Sequence, residues 1–481
     1  MSKKQVFNPY LPSWEYIPDG EPHKFDGRIY VYGSHDKFNG RTFCMNDYVC
    51  WSCPEDDLSD WRYEGVIFEK TQDPDNPKGK HSMYAPDVCR GPDGKYYLYY
   101  FLDYAGKIGV AVCDEPAGKY KFLDYVHYPD GQILGKKKGD SFQFDPGVYV
   151  EGDKVYLYTG FCPTFYPFFL TGGKPLSREG AMVTVLKPDM VTVDVPSKYI
   201  AKCKRNSAGT PYEGHEFFEA ASMRKINGKY YFIYSSFLGH ELCYATSDRP
   251  DGDFAFGGTI VSIGDVGLGG RKGVKDAANY TGNTHGSIVE ANGKYYVFYH
   301  RQTNRHCFSR QACAEEIKIN PDGSIDQVEV TSCGLNGGPL DGKGEYEARI
   351  ACNLYSAKGC RFYSVFRGRE GAHPYFTQSG EDREHTPDQY IANMRDGATA
   401  GFKYFDFKGA KEISVKVRGS GTGELIVSTS EDGEPVARIK LAPSREWATF
   451  KAPLSVPDGV HALYFRYSGK GRIDFDRFTF A

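Results

Sequence analysis

Aromatic and β-branched residues cluster in short runs along the first two thirds of the chain, and each run follows a polar residue and a glycine. Pairs such as Asn-Gly and Asp-Gly are strong β-hairpin signals because both residues tolerate positive φ. The runs have the composition of strands, and long amphipathic helical patterns are hard to find. The pattern occurs five times: Asp26-Gly27 before RIYVY, Asp93-Gly94 before KYYLYY, Glu151-Gly152 before DKVYLY, Asn227-Gly228 before KYYFIY and Asn292-Gly293 before KYYVFY.

A further strand boundary, marked by Pro, Asp or Gly, follows each run, so each repeat predicts a unit of four antiparallel strands. Repeated sheets protect their edges when they are arranged radially. Five repeats therefore predict an all-β fold with a five-bladed β-propeller at residues 1–335. The repeats exceed the roughly 40–50 residues of common propellers, which leaves room for long loops on one face. A large β-sandwich is the alternative for the same pattern.

The pattern changes after residue 335. The Gly-rich, polar stretch 336–345 predicts a linker. Short alternating strands then follow between Gly, Asp and Pro turns, among them KEISVKVRG, GELIVSTS, HALYFRYS and RIDFDRFTF. This alternation predicts a jelly-roll-like β-sandwich domain at residues 346–481.

The charge balance and the cysteines limit the partners and the compartment. The 481 residues include 59 Lys and Arg against 62 Asp and Glu, a net charge of −3, which calls for neither nucleic acid nor an anionic membrane. No segment approaches the ~18 apolar residues of a membrane span, and the N-terminus lacks the apolar stretch of a secretory signal. The 13 cysteines are scattered, and the isolated pair Cys50 and Cys53 is weak evidence for zinc. Scattered thiols favour a reduced, cytoplasmic protein.

An acid or a histidine stands on the strand before each hairpin turn. If these strands are the innermost ones, five side chains converge near one mouth of the propeller: Asp19, Asp87, Asp145, Glu219 and His285. Their offsets from the turns differ in parity, so bulges or unequal strand lengths are required. Paired carboxylates in a cleft suit glycoside hydrolysis, in which one acid is protonated and the other is ionised. A neighbouring like charge, as expected for Asp145 and Glu219, raises the pKa of one member.

At these residues the chain resembles glycoside hydrolase family 43, over residues 6–335. The motifs are NPYLPSWEYIPDGEP, MYAPDV, FDPGV, EGHEFFEAASMRKINGKYYFIYSS and NTHGSIVEANGKYYVFYHR. The resemblance implies a five-bladed propeller and an inverting mechanism. Asp19 would be the general base, Glu219 the general acid, and Asp145 the residue that orients Glu219 and keeps its pKa raised. Ala220-Ala221 replaces the Gly-Pro that often follows that Glu. The carboxyls of Asp19 and Glu219 are expected roughly 6.5–9.5 Å apart, the separation of an inverting pair.

The resemblance also implies a metal site and substrate contacts, without an organic cofactor. His285 matches the histidine beneath the family's sugar site, where calcium often lies. It would bind calcium through water, because calcium prefers oxygen ligands, and a histidine that only hydrogen-bonds is the alternative. Arg301 and Asp87 are candidates for contacts to sugar hydroxyls. Candidates for stacking on sugar rings, each alternatively part of a blade core, are Trp14, Trp51, Tyr84 and the aromatic run Phe165–Phe169.

The C-terminal region resembles carbohydrate-binding module family 6 at its start, YEAR, and at its close, RIDFDRFTF. Such modules often bind a structural calcium ion through acids near both ends, which here would be Glu347 and Asp476. Arg349 stands where a second Glu is usual, which weakens that expectation. A domain that only packs on the propeller is the alternative to a sugar-binding module.

These features predict an inverting exo-glycosidase that acts on oligosaccharides from hemicellulose and releases terminal α-L-arabinofuranose. Release of β-D-xylose, beside arabinose or in its place, and other exo-pentosidase or galactosidase activities are alternatives, because both pentoses present similar hydroxyls. A noncatalytic sugar-binding propeller is an alternative from another class. A retaining fructan enzyme is disfavoured because its opening motif W-M-N-D-P-N-G is absent.

Overall fold

Strands dominate the part of the chain that the computed structural model describes, which comprises residues 4–103, 106–164, 178–363, 372–383 and 388–481. Helical structure in these ranges is limited to four 3-10 turns, at Lys70–Gln72, Val274–Asp276, Gly334–Asn336 and Ala348–Ile350. The prediction of an all-β chain is confirmed. The same ranges hold no helix of the length and apolarity needed to cross a membrane.

Five small antiparallel sheets follow one another in the first two thirds of the chain, each with its strands side by side in chain order. The first two sheets contain β1 (Glu21–Phe25), β2 (Arg28–Tyr32), β3 (Tyr48–Pro54) and β4 (Arg62–Phe68), then β5 (Asp87–Arg90), β6 (Tyr96–Phe101), β7 (Ile108–Cys113) and β8 (Lys121–Tyr125). The third and fourth contain β9 (Gly147–Glu151), β10 (Lys154–Thr159), β11 (Gly180–Leu186) and β12 (Val193–Lys202), then β13 (Phe217–Ile226), β14 (Lys229–Ser236), β15 (Glu241–Ser247) and β16 (Ala255–Ser262). The fifth contains β17 (Ile288–Ala291), β18 (Lys294–Thr303) and β19 (His306–Ile317).

The five predicted hairpin turns connect the first and second strands of these sheets. At Asn227-Gly228 the two φ angles are 50° and 83°, and at Asn292-Gly293 they are 50° and 77°. Positive φ at both central residues is the conformation of a type I′ turn, which matches the twist of the flanking strands. The polar–Gly pattern therefore identified the first strand of every sheet correctly.

The first strands of the five sheets contact one another in succession. β1 contacts β5 and β17, β5 contacts β9, and β9 contacts β13. β13 meets β17 through Arg224, whose Nε donates to the carbonyl of Ile288 at 2.8 Å. The approach of β9 to β13 requires Gly147, because a Cβ there would lie 2.2 Å from the carbonyl oxygen of Ala221. The residues that begin these five strands are thereby brought together.

The fifth sheet differs from the predicted four-strand unit. The residues after Asp322-Gly323 leave it and follow the fourth sheet, where the N–H of Val328 donates to the carbonyl of Ile260 at 2.8 Å. The N-terminal segment lies along β19 instead: Tyr10 N donates to Ala312 O at 3.3 Å. The side-chain amide of Asn8 donates to Ala314 O at 2.9 Å and accepts from Ala314 N at 3.0 Å. The prediction of four strands in every repeat is therefore wrong for the fifth sheet, which has three in the described part of the chain.

Two six-stranded sheets occupy the C-terminal part, residues 340–481. The strands of one sheet are β20 (Leu340–Asp341), β22 (Asn353–Tyr355), β25 (Thr399–Phe407), β27 (Thr422–Ser428), β28 (Pro435–Leu441) and β30 (Gly459–Lys470). Those of the other are β21 (Gly344–Glu347), β23 (Tyr375–Thr377), β24 (Tyr390–Met394), β26 (Glu412–Gly419), β29 (Ser444–Pro453) and β31 (Ile473–Phe480). Both sheets contribute aromatic side chains to one buried cluster, including Phe402, Phe465, Phe475 and Phe478.

The predicted linker 336–345 carries strands of these sheets. β20 pairs with β25 in parallel, and β21 pairs with β31 in antiparallel orientation. Leu340 is fully buried in the C-terminal cluster, as is Tyr346 just beyond the predicted boundary. The Gly-rich composition marked the turns of this stretch, whereas these two apolar anchors decide where it packs.

Buried polar contacts join the C-terminal part to the five sheets. Lys403 on β25 is 2% exposed and places its Nζ 3.0 Å from Asp265 Oδ2 and 2.9 Å from Glu329 Oε1. The N–H of Leu354 donates to the carbonyl of Ala278 at 2.8 Å. Removing one partner of a buried ion pair is strongly destabilising, so this contact favours one fixed arrangement of the two parts.

Candidate active site

Three predicted acids lie at the beginnings of first strands. Asp19 precedes β1, Asp145 precedes β9, and Glu219 lies near the start of β13. Positive φ angles of 57° at Asp19 and 44° at Asp145 turn their side chains away from ordinary strand geometry. Glu219 stands between two register shifts of the β13–β14 pairing, next to Ala220 with φ of 68°. These irregularities supply the bulges that the unequal offsets in the sequence required.

The backbone of β13 links Asp145 to Glu219. The carboxylate of Asp145 accepts a hydrogen bond from the N–H of Ala220, the residue after Glu219. Asp145 and Asp19 are each 5% exposed. The structure therefore brings the three predicted catalytic carboxylates together, with Asp19 and Asp145 buried and Glu219 partly exposed.

The surroundings of Asp19 stabilise its ionised form. Arg310 Nη1 donates to Asp19 Oδ1 at 2.8 Å. Burial, the largest single influence, would raise the pKa of Asp19, but Arg310 together with the smaller effects of the neighbouring histidines outweighs it, so the pKa lies below its usual value. The N–H of Asp19 donates to His300 Nδ1 at 3.2 Å, so that nitrogen carries no proton. Burial, followed by the charge of Arg310, lowers the pKa of His300 to about 3 and keeps the ring neutral.

Sequence reasoning missed Arg310, although it is the cation nearest to Asp19. It is 1% exposed on β19, and a second carboxylate holds it: Asp36 Oδ2 accepts from its Nε at 2.9 Å and Asp36 Oδ1 from its Nη2 at 3.1 Å. The remaining Nη1 is thereby aimed at Asp19. Its surroundings in the sequence, FSRQA, gave no local signal of this role, because polar residues flank the arginine on both sides.

The pKa values of the other two carboxyls, those of Glu219 and Asp145, are shifted in the opposite direction. Burial raises the pKa of Glu219 well above its usual range, and the charges of Asp145 and Asp19 raise it further. Burial also raises the pKa of Asp145 to about 7, with a further increase from Asp19 that His285 opposes. These opposite shifts favour the protonated form of Glu219 and the ionised form of Asp19, which is the division of roles that acid and base need.

His285 lies between two acids beneath this group. Its Nε2 is 3.5 Å from Glu21 Oε1 and its Nδ1 is 3.8 Å from Asp145 Oδ2. Burial would lower the pKa of His285, but the contact with Glu21 and the charges of Asp19 and Asp145 raise it to about 9. The imidazole is therefore a cation at neutral pH, and it balances part of the negative charge of the site.

The donors around His285 do not fit a directly coordinated calcium ion. Calcium takes six to eight oxygen ligands. Glu21 Oε1 is a buried oxygen without a hydrogen-bond donor among the described residues, whereas Arg224 already donates to Glu21 Oε2 at 2.8 Å. This single oxygen, which faces the protonated His285 ring at 3.5 Å, would suffice only for a hydrated ion.

Asp87 has a structural position instead of the predicted sugar contact. It is fully buried, with Oδ1 2.6 Å from His23 Nε2 and Oδ2 2.7 Å from the N–H of Val148. These bonds join β5 to β1 and to β9. All of its acceptor capacity serves the junction of the first strands, so the prediction of substrate binding is wrong for Asp87.

Arg301 likewise faces the interior and not a sugar. Its Nη1 donates to Ala351 O at 3.1 Å, its Nη2 donates to Gln311 Oε1 at 2.9 Å, and its guanidinium lies 3.8 Å from the ring centre of Phe376. The side chain is 6% exposed. Arg301 therefore joins the fifth sheet to the C-terminal part, and its predicted contact with sugar hydroxyls is wrong.

Of the predicted stacking residues, Tyr84 is the one that adjoins the acids. It is half-buried, and its ring centre is 5.4 Å from that of Phe144, the neighbour of Asp145. Trp14 packs on Trp51 with ring centres 6.0 Å apart, and its other neighbour is the guanidinium of Arg383 at 5.0 Å. The run Phe165–Phe169 lies outside the described residues.

The two acids predicted to hold a second calcium ion, Glu347 and Asp476, each contact different basic side chains. Glu347 accepts from Arg349 Nε at 2.5 Å, whereas Asp476 accepts from Arg477 Nε at 2.9 Å and lies 3.2 Å from Lys416 Nζ. Glu347 is paired across the strands with Arg477, so Asp476, one residue earlier, points to the opposite face of the sheet. These residues do not form a shared calcium site.

The chain that carries these carboxyls is similar to known proteins. The family model for glycosyl hydrolases family 43 matches residues 17–325. A xylosidase/arabinosidase of Thermoclostridium stercorarium is 56% identical over 482 residues, which cover 99% of each chain.

Two solved structures are similar as well. A family 43 β-xylosidase/α-arabinofuranosidase from a compost microbial metagenome, solved with xylotriose in a calcium-free form, has 28% identity and a TM-score of 0.50, covering 66% of this chain and 96% of that one. A Bacillus subtilis arabinoxylan arabinofuranohydrolase, solved with cellotetraose, covers 98% of this chain and 96% of its own with a TM-score of 0.51; at 21% identity it is similar in fold alone. The chain belongs to glycosyl hydrolases family 43 and is a glycoside hydrolase.

Proposed function

We propose that this glycoside hydrolase releases terminal α-L-arabinofuranose from oligosaccharides derived from hemicellulose, with β-D-xylose as a second product. The observation that carries the proposal is one group of neighbouring carboxyls in which Arg310 contacts Asp19 at 2.8 Å and the pKa shifts favour the ionised form of Asp19 and the protonated form of Glu219. The names of the relatives support the sugar class, since both the Thermoclostridium enzyme and the metagenomic enzyme are named for xylose and arabinose. β-Xylosidase as the main activity is the second candidate, on the same ground.

The mechanism follows from these protonation states. Glu219 donates its proton to the leaving oxygen as the bond from that oxygen to the anomeric carbon breaks. Asp19 accepts a proton from the water that attacks the same carbon from the opposite face, so the product has inverted configuration. Exchange of protons with solvent then restores both groups. Asp145 positions Glu219 through the Ala220 N–H and keeps its pKa raised.

We further propose that the five sheets are the blades of a five-bladed propeller with its axis among the first strands. The successive contacts of β1, β5, β9 and β13 support this arrangement. The two C-terminal sheets with their shared aromatic cluster support a β-sandwich similar to carbohydrate-binding module family 6. The propeller domain would then span about residues 1–335 and the sandwich domain residues 340–481.

For calcium, the form that these residues support is a hydrated ion, with His285 and Glu21 facing its water shell. Such an ion would add positive charge beneath the catalytic carboxyls. Calcium titration of the chelated protein, followed by thermal unfolding, measures this binding without relying on turnover. Thirteen unpaired cysteines support a reducing, cytoplasmic environment and hence small imported oligosaccharides as substrates.

Hydrolysis of arabino- and xylo-oligosaccharides, with the first-formed anomer read by NMR, tests the proposal. Asp19→Ala and Glu219→Ala should each lose at least about a hundredfold in kcat, because proton transfer by a positioned group contributes roughly 10²–10⁴-fold. Asp26→Asn, an exposed acid in the first hairpin turn, is the matched control and should keep the full rate. Retention of the anomeric configuration would refute the inverting mechanism. Wild-type rates in both alanine variants would instead favour a noncatalytic sugar-binding protein.

A further inference from the structure

The loop of residues 35–46, between β2 and β3, forms part of the wall around Asp19. Its Asp36 holds the guanidinium of Arg310, as described above. Its Phe43 lies with its ring centre 5.0 Å from that guanidinium and 4.8 Å from the ring centre of Phe308. The same ring is 6.5 Å from that of Tyr84. The position of this loop therefore fixes both the cation beside Asp19 and an aromatic surface next to the acids.

The C-terminal part holds this loop at two points through one carboxylate. Asp382 Oδ1 accepts the N–H of Phe38 at 2.6 Å, and Asp382 Oδ2 accepts Asn46 Nδ2 at 3.1 Å. The same amide of Asn46 donates to the carbonyl of Asp36 at 3.1 Å. Asp382 thus joins the two ends of the loop and lies one hydrogen-bonded residue away from Asp36.

Neighbouring C-terminal residues hold the segment that leads to Asp19. Arg383 Nη1 donates to Glu15 Oε1 at 2.7 Å, and Glu15 is 1% exposed. The hydroxyl of Tyr16 donates to Gln378 Oε1 at 2.6 Å, while the carbonyl of Tyr16 accepts the N–H of Asp36 at 2.9 Å. Residues 378–383, which follow β23, therefore contact both backbone segments that determine where the Asp19 carboxylate and its cation lie.

We propose that Asp382 and Arg383 are positioning residues for Asp19, so that the C-terminal part is a functional component of the active site. They act through the loop 35–46 and through Glu15, without touching the reacting atoms. The chain of contacts runs from Asp382 through Asn46 and the backbone of Asp36 to Arg310, and from there to Asp19. This inference rests on the proposed role of Asp19 as the general base.

The experiment compares Asp382→Ala and Arg383→Met with a control at the same interface. Glu431→Gln is the control: Glu431 contacts Arg271 of the five sheets and accepts from Tyr355 at 3.1 Å, away from the loop 35–46. For each full-length variant, kcat/KM is measured against pH on an arabinoside substrate, together with the thermal unfolding midpoint.

We expect Asp382→Ala to lower kcat/KM by about tenfold or more, because small displacements of catalytic groups have large effects on rate. We also expect the acidic limb of its pH profile to move to higher pH, since Arg310 would no longer be held against Asp19. The other titratable groups that face Asp19 stay in place; these are His285, His300, Asp145 and Glu219. Asp382→Glu should restore part of the activity. Glu431→Gln should change neither the limb nor the rate, although its unfolding midpoint falls by a similar amount.

A wild-type acidic limb in both Asp382→Ala and Arg383→Met would overturn the inference. If Asp382→Ala does not fold, Asp382→Asn decides in its place: its amide can still accept from Phe38, but its NH₂ group opposes the amide of Asn46. An Asp382→Asn profile identical to the wild type would equally overturn the inference. Asp19→Ala distinguishes failure of the proposed function from failure of the positioning role. Full activity in Asp19→Ala contradicts the proposed function. An inactive Asp19→Ala beside a normal Asp382→Ala contradicts only the positioning role.

Discussion

Replacing Arg310 tests how the site keeps Asp19 ionised. In Arg310→Met the guanidinium 2.8 Å from Asp19 is removed, while burial and the neighbouring acids remain. Two unit charges about 4 Å apart interact by about 4 kcal/mol at an effective dielectric constant of 20. About 1.4 kcal/mol corresponds to one pKa unit, so the gross effect is about three units. His285 stays in place and offsets part of it, and we expect the pKa of Asp19 to rise by about two units.

The sign of the effect on activity follows from the role of Asp19. The base must be ionised, so activity is lost as the pH falls through its pKa, and a higher pKa moves this acidic limb of kcat/KM to higher pH. Because the pKa of Asp19 is lowered in the folded protein, its contribution to stability is present above the unfolded pKa and is lost as the pH falls through the folded one. Removing Arg310 therefore also costs stability near neutral pH, about 3–5 kcal/mol for one partner of a buried pair.

The assay is a kcat/KM profile from pH 4 upward, run below the unfolding temperature of the variant. Arg310→Lys is the matched comparison, because it keeps the charge but cannot bond Asp36 and Asp19 with one planar group. Its acidic limb should move less than that of Arg310→Met. If the limb of Arg310→Met coincides with the wild type while Asp19→Ala is inactive, Arg310 does not set the pKa of the base and the electrostatic reasoning fails.

Three further variants separate catalytic from structural positions. Asp145→Asn removes the charge that raises the pKa of Glu219, so the alkaline limb of the kcat/KM profile should move to lower pH by about one unit; an unchanged limb would contradict this coupling. Asp87→Asn should lower the unfolding midpoint by several degrees and leave kcat/KM near the wild-type value, and a large loss of rate with normal stability would restore its role in binding. Arg301→Met should leave KM for xylo- and arabino-oligosaccharides unchanged while lowering the free energy of unfolding by about 2 kcal/mol, as calorimetry or denaturant titration can measure.

Local signals were sufficient for the hairpins and for the position of the three acids along the chain. A turn such as Asn227-Gly228 is specified by its own two residues, because the left-handed conformation is accessible to both. The acids were found as candidates because they stand before such turns, and the resemblance to family 43 supplied their catalytic roles. The position of Glu219 and Ala220 also depends on a bulge in β13. The unequal offsets in the sequence predicted such an irregularity but not its location.

Contacts between distant segments could not be predicted in this way. Arg310 and Asp36 are 274 positions apart, and neither residue carries a local sign of the other. Arg301 was predicted as a sugar ligand because it follows the last hairpin strand in the sequence YHR, but Ala351 and Gln311 accept hydrogen bonds from its guanidinium. An isolated arginine in a sequence indicates only that a partner exists; the packing of the C-terminal part decides which one.

The pairing of the N-terminal segment with β19 has a consequence for synthesis. Asn8 leaves the ribosome well before its partner Ala314, which lies 306 positions later, so the N-terminal segment has no β19 edge to bind until most of the chain has been made. An unpaired strand edge is a template for association with other chains. In the folded protein the few residues around Asn8 cover the edge of β19 and so oppose edge-to-edge aggregation. An affinity tag fused close to these residues would therefore disturb the cover of the fifth sheet.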